Sequence, residues 1–265
     1  MPIECPITFE RLSQQAFQKL DFEIMDLAFE THRLLGRSCD EEIYHNHLAA
    51  LIEAAGLGRT LVEVVIHVRH GSFYKEYRMD LVVGAKVVYE LKVAREIATQ
   101  HEGQTLNYLL LVDCEHGKVI NFGDASVGHR FVNNPVSREE RYRHRVQLST
   151  SWRGPEALKK ALAEFIEDIG LFLESPLYNQ AVVHHFGGPD HAIERRPMSL
   201  GGVPLGRQAF QMCGPDEAFR VTTLSRNLSA QRQSLDRLVQ LSDLNALHWI
   251  NLNRHQVEFS TLTRT

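Results

Sequence analysis

The chain has 265 residues, of which 43% are hydrophobic and 23% are charged, and its formal net charge is −4. This composition is typical of a globular protein with one large or two small domains, and the negative charge argues against a surface built for non-specific nucleic-acid binding. No stretch approaches the ~20 apolar residues of a membrane span, and the first residues lack the basic and apolar regions of a signal peptide. We therefore expect a cytoplasmic protein without membrane contact.

Cysteine and histidine usage gives no metal-binding pattern. The 4 cysteines lack Cys-x-x-Cys spacing, which predicts neither a zinc knuckle nor a disulfide framework. We interpret the 14 histidines as solvated or core side chains. His45 and His47, for example, lie two apart on a predicted helix and point to different sides.

Two helices are predicted first along the chain. Residues 21–35 carry an apolar stripe at helical spacing, and residues 40–55 carry a second one. Gly36 and Gly56 follow these stripes, and glycine commonly ends a helix. Residues 61–69 then alternate apolar and polar side chains, as a half-buried strand does.

A hairpin with unexpected charges comes next. Residues 77–83 and 87–93 predict two apolar strands joined by a short turn that contains glycine. With the residues that flank the turn paired, Asp80 lies opposite Glu90, and Lys92 leaves its strand on the same face as Glu90. At ~4 Å and an effective dielectric near 20, two facing carboxylates repel by about 4 kcal/mol. A compensating positive charge is therefore required.

Two sources of that charge are open. Lys92 and Arg78 could neutralise the acids as a structural ion network, or a divalent cation such as Mg²⁺ could bind them. An Asp followed by Glu-x-Lys on one face of an otherwise apolar hairpin favours the cation.

The first half ends with a helix and two strands. Residues 99–111 predict a helix with a capping box formed by Thr99 and Glu102. Residues 118–122 and 129–132 predict the strands.

The charged hairpin resembles a known nuclease signature. Asp80 followed by Glu90-Leu91-Lys92 resembles the catalytic motif of the PD-(D/E)XK nuclease superfamily. The order of elements over residues 21–132 resembles, more specifically, the GxxExxY family. The resemblance implies a restriction-endonuclease-like α/β core, with a central mixed sheet flanked by helices.

Two further motifs support this resemblance. The turn before the second predicted helix matches the GxxExxY signature at Glu41 and Tyr44, although Ser38 stands where the family has glycine. Gln104 and Tyr108, four apart on one helical face, are similar to the helix motif of RecB-type nucleases. The alternative for this last pair is a polar seam between helix and sheet.

The resemblance also implies roles for individual residues. The implied ligands of Mg²⁺ or Mn²⁺ are Asp80, Glu90, Glu41 and the backbone carbonyl of Leu91. Lys92 would orient or activate the attacking water, and the implied substrate contacts are Gln104, Tyr108 and Tyr44.

The second half resembles a diverged copy of the first. The predicted organisation is a nuclease-like domain over 1–134, a charged solvated linker over 135–154 and a degenerate copy over 155–265. In this alignment Ser175 replaces Glu41, and Gln211, Val221 and Thr223 lie near the positions of Asp80, Glu90 and Lys92. Convergent patterning of helices and strands is the alternative.

The leading hypothesis is therefore a metal-dependent nuclease acting on nucleic acid, with DNA favoured over RNA. The expected assembly is a monomer with an internal pseudo-dimer, or a homodimer. The alternative function is a non-catalytic nucleic-acid-binding or protein-interaction module that retains the fold.

Overall fold

The chain forms two compact units in the computed structural model, which describes residues 2–264. The first unit contains the residues up to Arg69 together with Tyr74–Arg138, and the second contains His70–Phe73 and the residues from Glu139 onward. Each unit has a six-stranded mixed sheet flanked by helices. The predicted α/β class is confirmed.

The first sheet has the strand order β1-β2-β3-β4-β5-β6. Strands β4 and β5 are parallel, as expected for two strands joined by a helical crossover, here α3. The elements are β1 (Ile3–Glu4), α1 (Gln14–Leu35), α2 (Glu41–Ala54), β2 (Thr60–His70), β3 (Phe73–Val83), β4 (Val87–Lys92), α3 (Thr99–Val112), β5 (His116–Asn121) and β6 (Gly128–Asn133).

Helices α1 and α2 cover one face of this sheet. Tyr89 and Leu91 of β4 belong to the same buried cluster as Ile24 of α1 and Leu48 of α2. Because side chains alternate along a strand, Glu90 leaves β4 on the opposite face. This alternation separates the charged residue from the apolar core.

Helix α1 departs from the sequence prediction at its start, and helix α3 begins at the predicted Thr99 but departs in its cap. Helix α1 begins seven residues earlier than expected, because Ser13 caps it by accepting from Ala16 N at 3.3 Å and Phe17 is fully buried in its first turn. Helix α3 does not use the predicted Thr99–Glu102 capping box. Its N-cap is Ala98, whose backbone N donates to His101 Nδ1 at 3.2 Å.

The second sheet has the order β7-β12-β11-β10-β9-β8, and β10 and β11 are its central parallel pair. Helix α8 connects that pair. The elements are α4 (Arg138–Arg141), β7 (Arg145–Leu148), α5 (Glu156–Ile169), α6 (Ser175–His185), α7 (Pro189–Ala192), β8 (Ile193–Leu200), β9 (Val203–Gly214), β10 (Glu217–Thr222), α8 (Leu228–Leu241), β11 (Ala246–Asn253) and β12 (Gln256–Thr263).

The charged segment expected to be a solvated linker contains structure. It holds the short helix α4 and the edge strand β7, which pairs in parallel with β12. Arg141 is only 2% exposed, and its guanidinium donates to the carbonyls of Ile169 and Leu171. A fully solvated linker is therefore wrong. Arg143 and Arg145 are exposed.

No helix among residues 2–264 is both long enough and apolar enough to cross a membrane.

Candidate active site

The candidate site lies where the β3–β4 hairpin ladder ends. Val83 pairs with Val87, as predicted, and the ladder continues to Leu81 and Tyr89. One residue further, Asp80 Oδ2 accepts a hydrogen bond from Leu91 N at 2.8 Å. The Asp80 side chain thus binds a main-chain donor of β4 and is fixed beside it.

Lys92 lies among three carboxylates. Its Nζ is 2.8 Å from Glu90 Oε1, 3.2 Å from Asp80 Oδ2 and 3.4 Å from Glu41 Oε1. The same ammonium donates to the carbonyl oxygen of Leu91 at 2.8 Å. The structure therefore brings together residues that are 51 positions apart in sequence. Arg78, the other candidate for neutralising the acids, is exposed and pairs with Glu76 instead.

Glu90 is the most deeply buried of the three acids. It is 0% exposed, whereas Asp80 is 7% exposed. Burial, reinforced by the negative charge of Asp80, raises the pKa of Glu90 from 4.5 to about 8. Near neutral pH this site therefore holds a proton on Glu90 unless further positive charge arrives.

The pKa of Lys92 is raised by the negative charges around it. Burial alone would lower it, but the facing carboxylates of Glu90, Asp80 and Glu41 outweigh that effect and raise it. Lys92 thus stays protonated at physiological pH. Its chemical capacity is to donate hydrogen bonds and to stabilise negative charge, since a protonated amine cannot accept a proton.

Helix α2 contributes two side chains to the site. Glu41, in the first turn, is partly exposed. His45, one turn later, is 3% exposed, and its Nε2 lies 3.9 Å from Glu41 Oε1 and 3.8 Å from Asp80 Oδ2. The sequence interpretation of His45 as an ordinary core or solvated histidine missed this placement. The signal was its i,i+4 spacing from Glu41, which puts both on one helical face.

Glu63 of β2 contacts the other imidazole nitrogen of His45. Glu63 has a positive φ of 53°, a conformation that costs energy for a residue other than glycine. Its Oε1 lies 3.7 Å from His45 Nδ1. Carboxylates therefore face both nitrogens of the imidazole.

Gln104 and Tyr108 form a pair on α3. Gln104 Nε2 donates to the Tyr108 hydroxyl at 2.6 Å. Burial, together with the nearby Glu90 and Asp80 charges, raises the pKa of Tyr108, so its hydroxyl keeps its proton. The hydroxyl accepts from Gln104 and retains its own proton as a donor.

Tyr44 corrects one expected substrate contact. The side chain is fully buried and stacks on Phe122, with ring centroids 4.6 Å apart. Its hydroxyl donates to Gly36 O at 2.9 Å and accepts from Cys39 N at 3.3 Å. Tyr44 therefore closes the turn between α1 and α2 and has no free surface for a substrate.

Part of the chain is similar to one known family. Residues 18–132 match the family model of the PD-(D/E)XK nuclease superfamily. The match covers α2, β2, the β3–β4 hairpin and α3, which carry the site residues described above. It ends before Glu139, where the main part of the second unit begins.

Other comparisons add less. A solved structure, entitled "Crystal structure of SSO0001", is 19% identical to this chain and aligns over 45% of it with a TM-score of 0.29. The chain spans 62% of the length of that protein. None of the curated proteins matches.

Members of the PD-(D/E)XK superfamily typically use divalent metal ions, and the residues present here fit one. Ligand atoms of Glu41, His45 and Asp80 lie within 4.8 Å of one another. Within residues 2–264, both carboxylate oxygens of Glu90 and the Nε2 of His45 are buried and make no hydrogen bond. Glu90 Oε1 has only its ion pair with Lys92. Buried polar atoms without hydrogen bonds are costly, and a hard cation would satisfy the carboxylate oxygens.

Proposed function

We propose that this protein is a metal-dependent nuclease that hydrolyses phosphodiester bonds of nucleic acid, with Mg²⁺ or Mn²⁺ as its cofactor. The observation that carries the proposal is the convergence of Asp80, Glu90 and Lys92 at one end of a hairpin, inside the segment that matches the superfamily. When ionised, Asp80, Glu90 and Glu41 with Lys92 carry a formal charge of −3 + 1 = −2. A divalent cation balances that charge.

Asp80, Glu90 and Glu41 would hold the cation through carboxylate oxygens, the ligands that Mg²⁺ and Mn²⁺ prefer. The Leu91 carbonyl is a further ligand, provided that it shares its oxygen with Lys92. Imidazole is a less usual ligand for these ions, so we assign His45 to a bound water or to orienting Glu41. When bound, the cation lowers the pKa of water and stabilises the charge that develops on the phosphate.

Lys92 would orient the attacking water and stabilise negative charge in the transition state. It donates hydrogen bonds in this role and does not act as a base, because the carboxylates around it keep it protonated. Gln104 and Tyr108 would donate hydrogen bonds to the scissile phosphate or its neighbour. Their similarity to the RecB-type motif favours DNA over RNA.

The second candidate function is a non-catalytic binding module. The observation that favours it is Lys92 itself, whose ammonium already lies within hydrogen-bond distance of Asp80 and Glu41 and could serve as a permanent counter-charge. In that case the acids and the lysine would form a structural ion network without a metal.

Cleavage assays separate the two candidates. Plasmid and single-stranded DNA and RNA are incubated with Mg²⁺ or Mn²⁺ and with EDTA, using the wild-type protein, Asp80→Asn and Lys92→Ala. The exposed residues Asp26 and Lys19 of the same unit provide matched controls, Asp26→Asn and Lys19→Ala.

We expect metal-dependent cleavage that both site variants reduce by at least about a hundredfold, the range seen when one group that stabilises transition-state charge is removed. Both control variants keep wild-type rates. Nucleic-acid binding without cleavage by the wild-type protein would support the module, and cleavage that survives Asp80→Asn would contradict the proposed site.

We propose in addition that the second unit arose by duplication of the first and lost its chemistry. Tyr178 repeats the interactions of Tyr44, since its hydroxyl donates to Gly170 O at 2.9 Å and accepts from Leu173 N at 3.3 Å. Asn251 likewise repeats the interactions of Asn121. The Asn251 side-chain amide accepts from Leu224 N and donates to Leu224 O, and the Asn121 side-chain amide does the same with Ala94. Convergent patterning of helices and strands would not by itself reproduce these two sets of side-chain hydrogen bonds, so they favour duplication.

The strand registers support the loss of the acids. Glu90 pairs with Val119 in the first sheet, and Arg220 pairs with Trp249 in the second. If Asn121 and Asn251 correspond, so do Glu90 and Arg220, one residue earlier than the sequence alignment gives. An arginine at that position repels a cation. Superposition of the two units tests the duplication, and failure to overlay their helices and sheets in the same order would contradict it.

A duplicated chain would carry its own second lobe. We therefore keep a monomer as the expected state, with a homodimer as the alternative, in the cytoplasm and without membrane contact. Light scattering of the purified chain distinguishes the two states.

A further inference from the structure

A second cluster of metal-ligating side chains lies in the second unit, outside the candidate nuclease site. Cys213 of β9, Glu217 of β10 and His248 of β11 bring one sulfur, one carboxylate oxygen and one imidazole nitrogen within 4.8 Å of one another. The three residues come from three neighbouring strands of one sheet. We propose that this cluster binds a transition-metal ion of the zinc type, with water in the fourth position.

The donor set selects the class of ion. Thiolate, imidazole and carboxylate together suit Zn²⁺, whereas Mg²⁺ prefers oxygen alone. The charges also balance, because a divalent ion neutralises one thiolate and one carboxylate. Three protein ligands and an open position are the usual arrangement for a zinc ion that keeps a bound water.

His248 is held in the orientation that a ligand needs. It is 0% exposed, its Nδ1 lies 3.1 Å from Thr261 Oγ1, and its Nε2 lies 3.2 Å from Glu217 Oε2. Thr261 is itself fixed by a hydrogen bond from Arg153 N at 2.9 Å. Metal-bound histidines commonly have such a partner on the second nitrogen, because it fixes the ring and its tautomer.

The Thr261 hydroxyl suits both states of the site. Without metal, His248 Nε2 donates its proton to Glu217, and Nδ1 accepts from the hydroxyl. With metal, the proton lies on Nδ1, which donates to the same hydroxyl, and Nε2 is free to coordinate. Burial lowers the pKa of His248, which favours the neutral imidazole that metal binding requires.

Cys213 is the ligand whose chemistry changes most. Its thiol donates to Glu217 O at 3.5 Å, and burial raises its pKa to about 12. Coordination breaks the S–H bond, forms the metal–sulfur bond and releases the proton to solvent. Each metal ion bound near neutral pH therefore releases one proton.

An ion can reach the cluster from solvent. The Glu217 side chain is 40% exposed, and Cys213 is partly exposed. Trp152, which is partly exposed, packs edge-on against His248 with ring centroids 5.4 Å apart. The competing interpretation is a structural hydrogen-bond network of the same three residues, which would bind no ion.

Cobalt(II) titration tests the proposal, because Co²⁺ substitutes for zinc and a cobalt–thiolate bond gives an intense near-ultraviolet charge-transfer band. The full chain is titrated with Co²⁺, Zn²⁺ is added to displace it, and proton release is recorded in parallel. The variants are Cys213→Ser and Glu217→Gln. Cys5→Ser and Cys39→Ser are matched controls, since both cysteines are partly exposed and lie outside the cluster.

We expect a band that saturates at one Co²⁺ per chain and that Zn²⁺ abolishes, with one proton released. Cys213→Ser removes the band, Glu217→Gln weakens Co²⁺ binding at least about tenfold, and both controls leave it unchanged. The band also persists in Asp80→Asn with Glu41→Gln, which separates this site from the nuclease site. No band in the wild-type protein, a band that survives Cys213→Ser, or unchanged affinity in Glu217→Gln overturns the proposal.

Discussion

At the scale of single residues, the burial of Glu90 raises its pKa and so makes the stability of the protein depend on pH. Its carboxylate is fully buried, Oε1 contacts Lys92 Nζ at 2.8 Å, and Oε2 makes no hydrogen bond within residues 2–264. The folded protein therefore binds the Glu90 proton more tightly than the unfolded chain does. Stability from this proton is complete below the unfolded pKa of 4.5 and is lost as pH rises through the folded pKa of about 8.

A stability measurement tests this claim. In EDTA, we expect the free energy of unfolding to fall by a few kcal/mol between about pH 5 and pH 9, because each unit of pKa shift is worth about 1.4 kcal/mol. Glu90→Gln, which carries no charge, should remove most of that fall, and Mg²⁺ should restore the stability of the wild-type protein at high pH. Glu23→Gln, at an exposed position of α1, is the control. A pH dependence equal in wild-type and Glu90→Gln would contradict the assignment.

Strand periodicity was enough to predict that Asp80, Glu90 and Lys92 share a region, because a two-residue period and a short turn fix the register of a hairpin. The same reasoning could not place His45. Its contact with Asp80 depends on how α2 packs on the sheet, which no local pattern encodes. The role expected for Tyr44 was wrong for a related reason: its match to a signature does not reveal which way its hydroxyl points.

At the scale of elements, both units use a buried tyrosine to close the turn between two consecutive helices, α1 and α2 in the first unit and α5 and α6 in the second. Tyr44 bonds Gly36 and Cys39, and Tyr178 bonds Gly170 and Leu173. Both side chains are 0% exposed. The main-chain partners of Tyr178 are buried, whereas those of Tyr44 are only part-buried. In both units the hydroxyl stabilises the helix pair, and its removal leaves these partners unpaired.

Two matched substitutions test this function. Tyr178→Phe should lower the free energy of unfolding by about 1–3 kcal/mol, because it leaves buried polar groups unpaired. Tyr44→Phe should lower it by about 0.5–1.5 kcal/mol, because water can reach its part-buried partners. Neither substitution should lower the affinity for nucleic acid. Denaturant unfolding and binding assays measure the two effects, with the exposed Tyr74→Phe as control. A selective loss of substrate affinity in Tyr44→Phe would restore the substrate-contact role.

At the scale of the whole molecule, the order of helices and strands in the first unit followed largely from periodicity, and two of the strands that the sequence reading missed, β1 and β7, lie at sheet edges. Strand β7 has four exposed residues and no alternation of burial, and it exists because it pairs with β12. Strand β1 has two residues and depends on β2. Such strands are defined by a distant partner, so a local pattern cannot reveal them. The cluster of Cys213, Glu217 and His248 escaped detection for the same reason, since its ligands come from three strands.

The central claim is that the acids of the first unit bind a hard divalent cation. Mn²⁺ binding, followed by the electron paramagnetic resonance of the free ion, measures this directly. A Cys213→Ser background excludes the second cluster, and the acids are removed in Asp80→Asn with Glu90→Gln. We predict one Mn²⁺ per chain when the acids are present and an affinity at least about tenfold lower when they are removed, equivalent to about 1.4 kcal/mol or more. Equal Mn²⁺ affinity in the two proteins would contradict the metal site and, with it, the nuclease function.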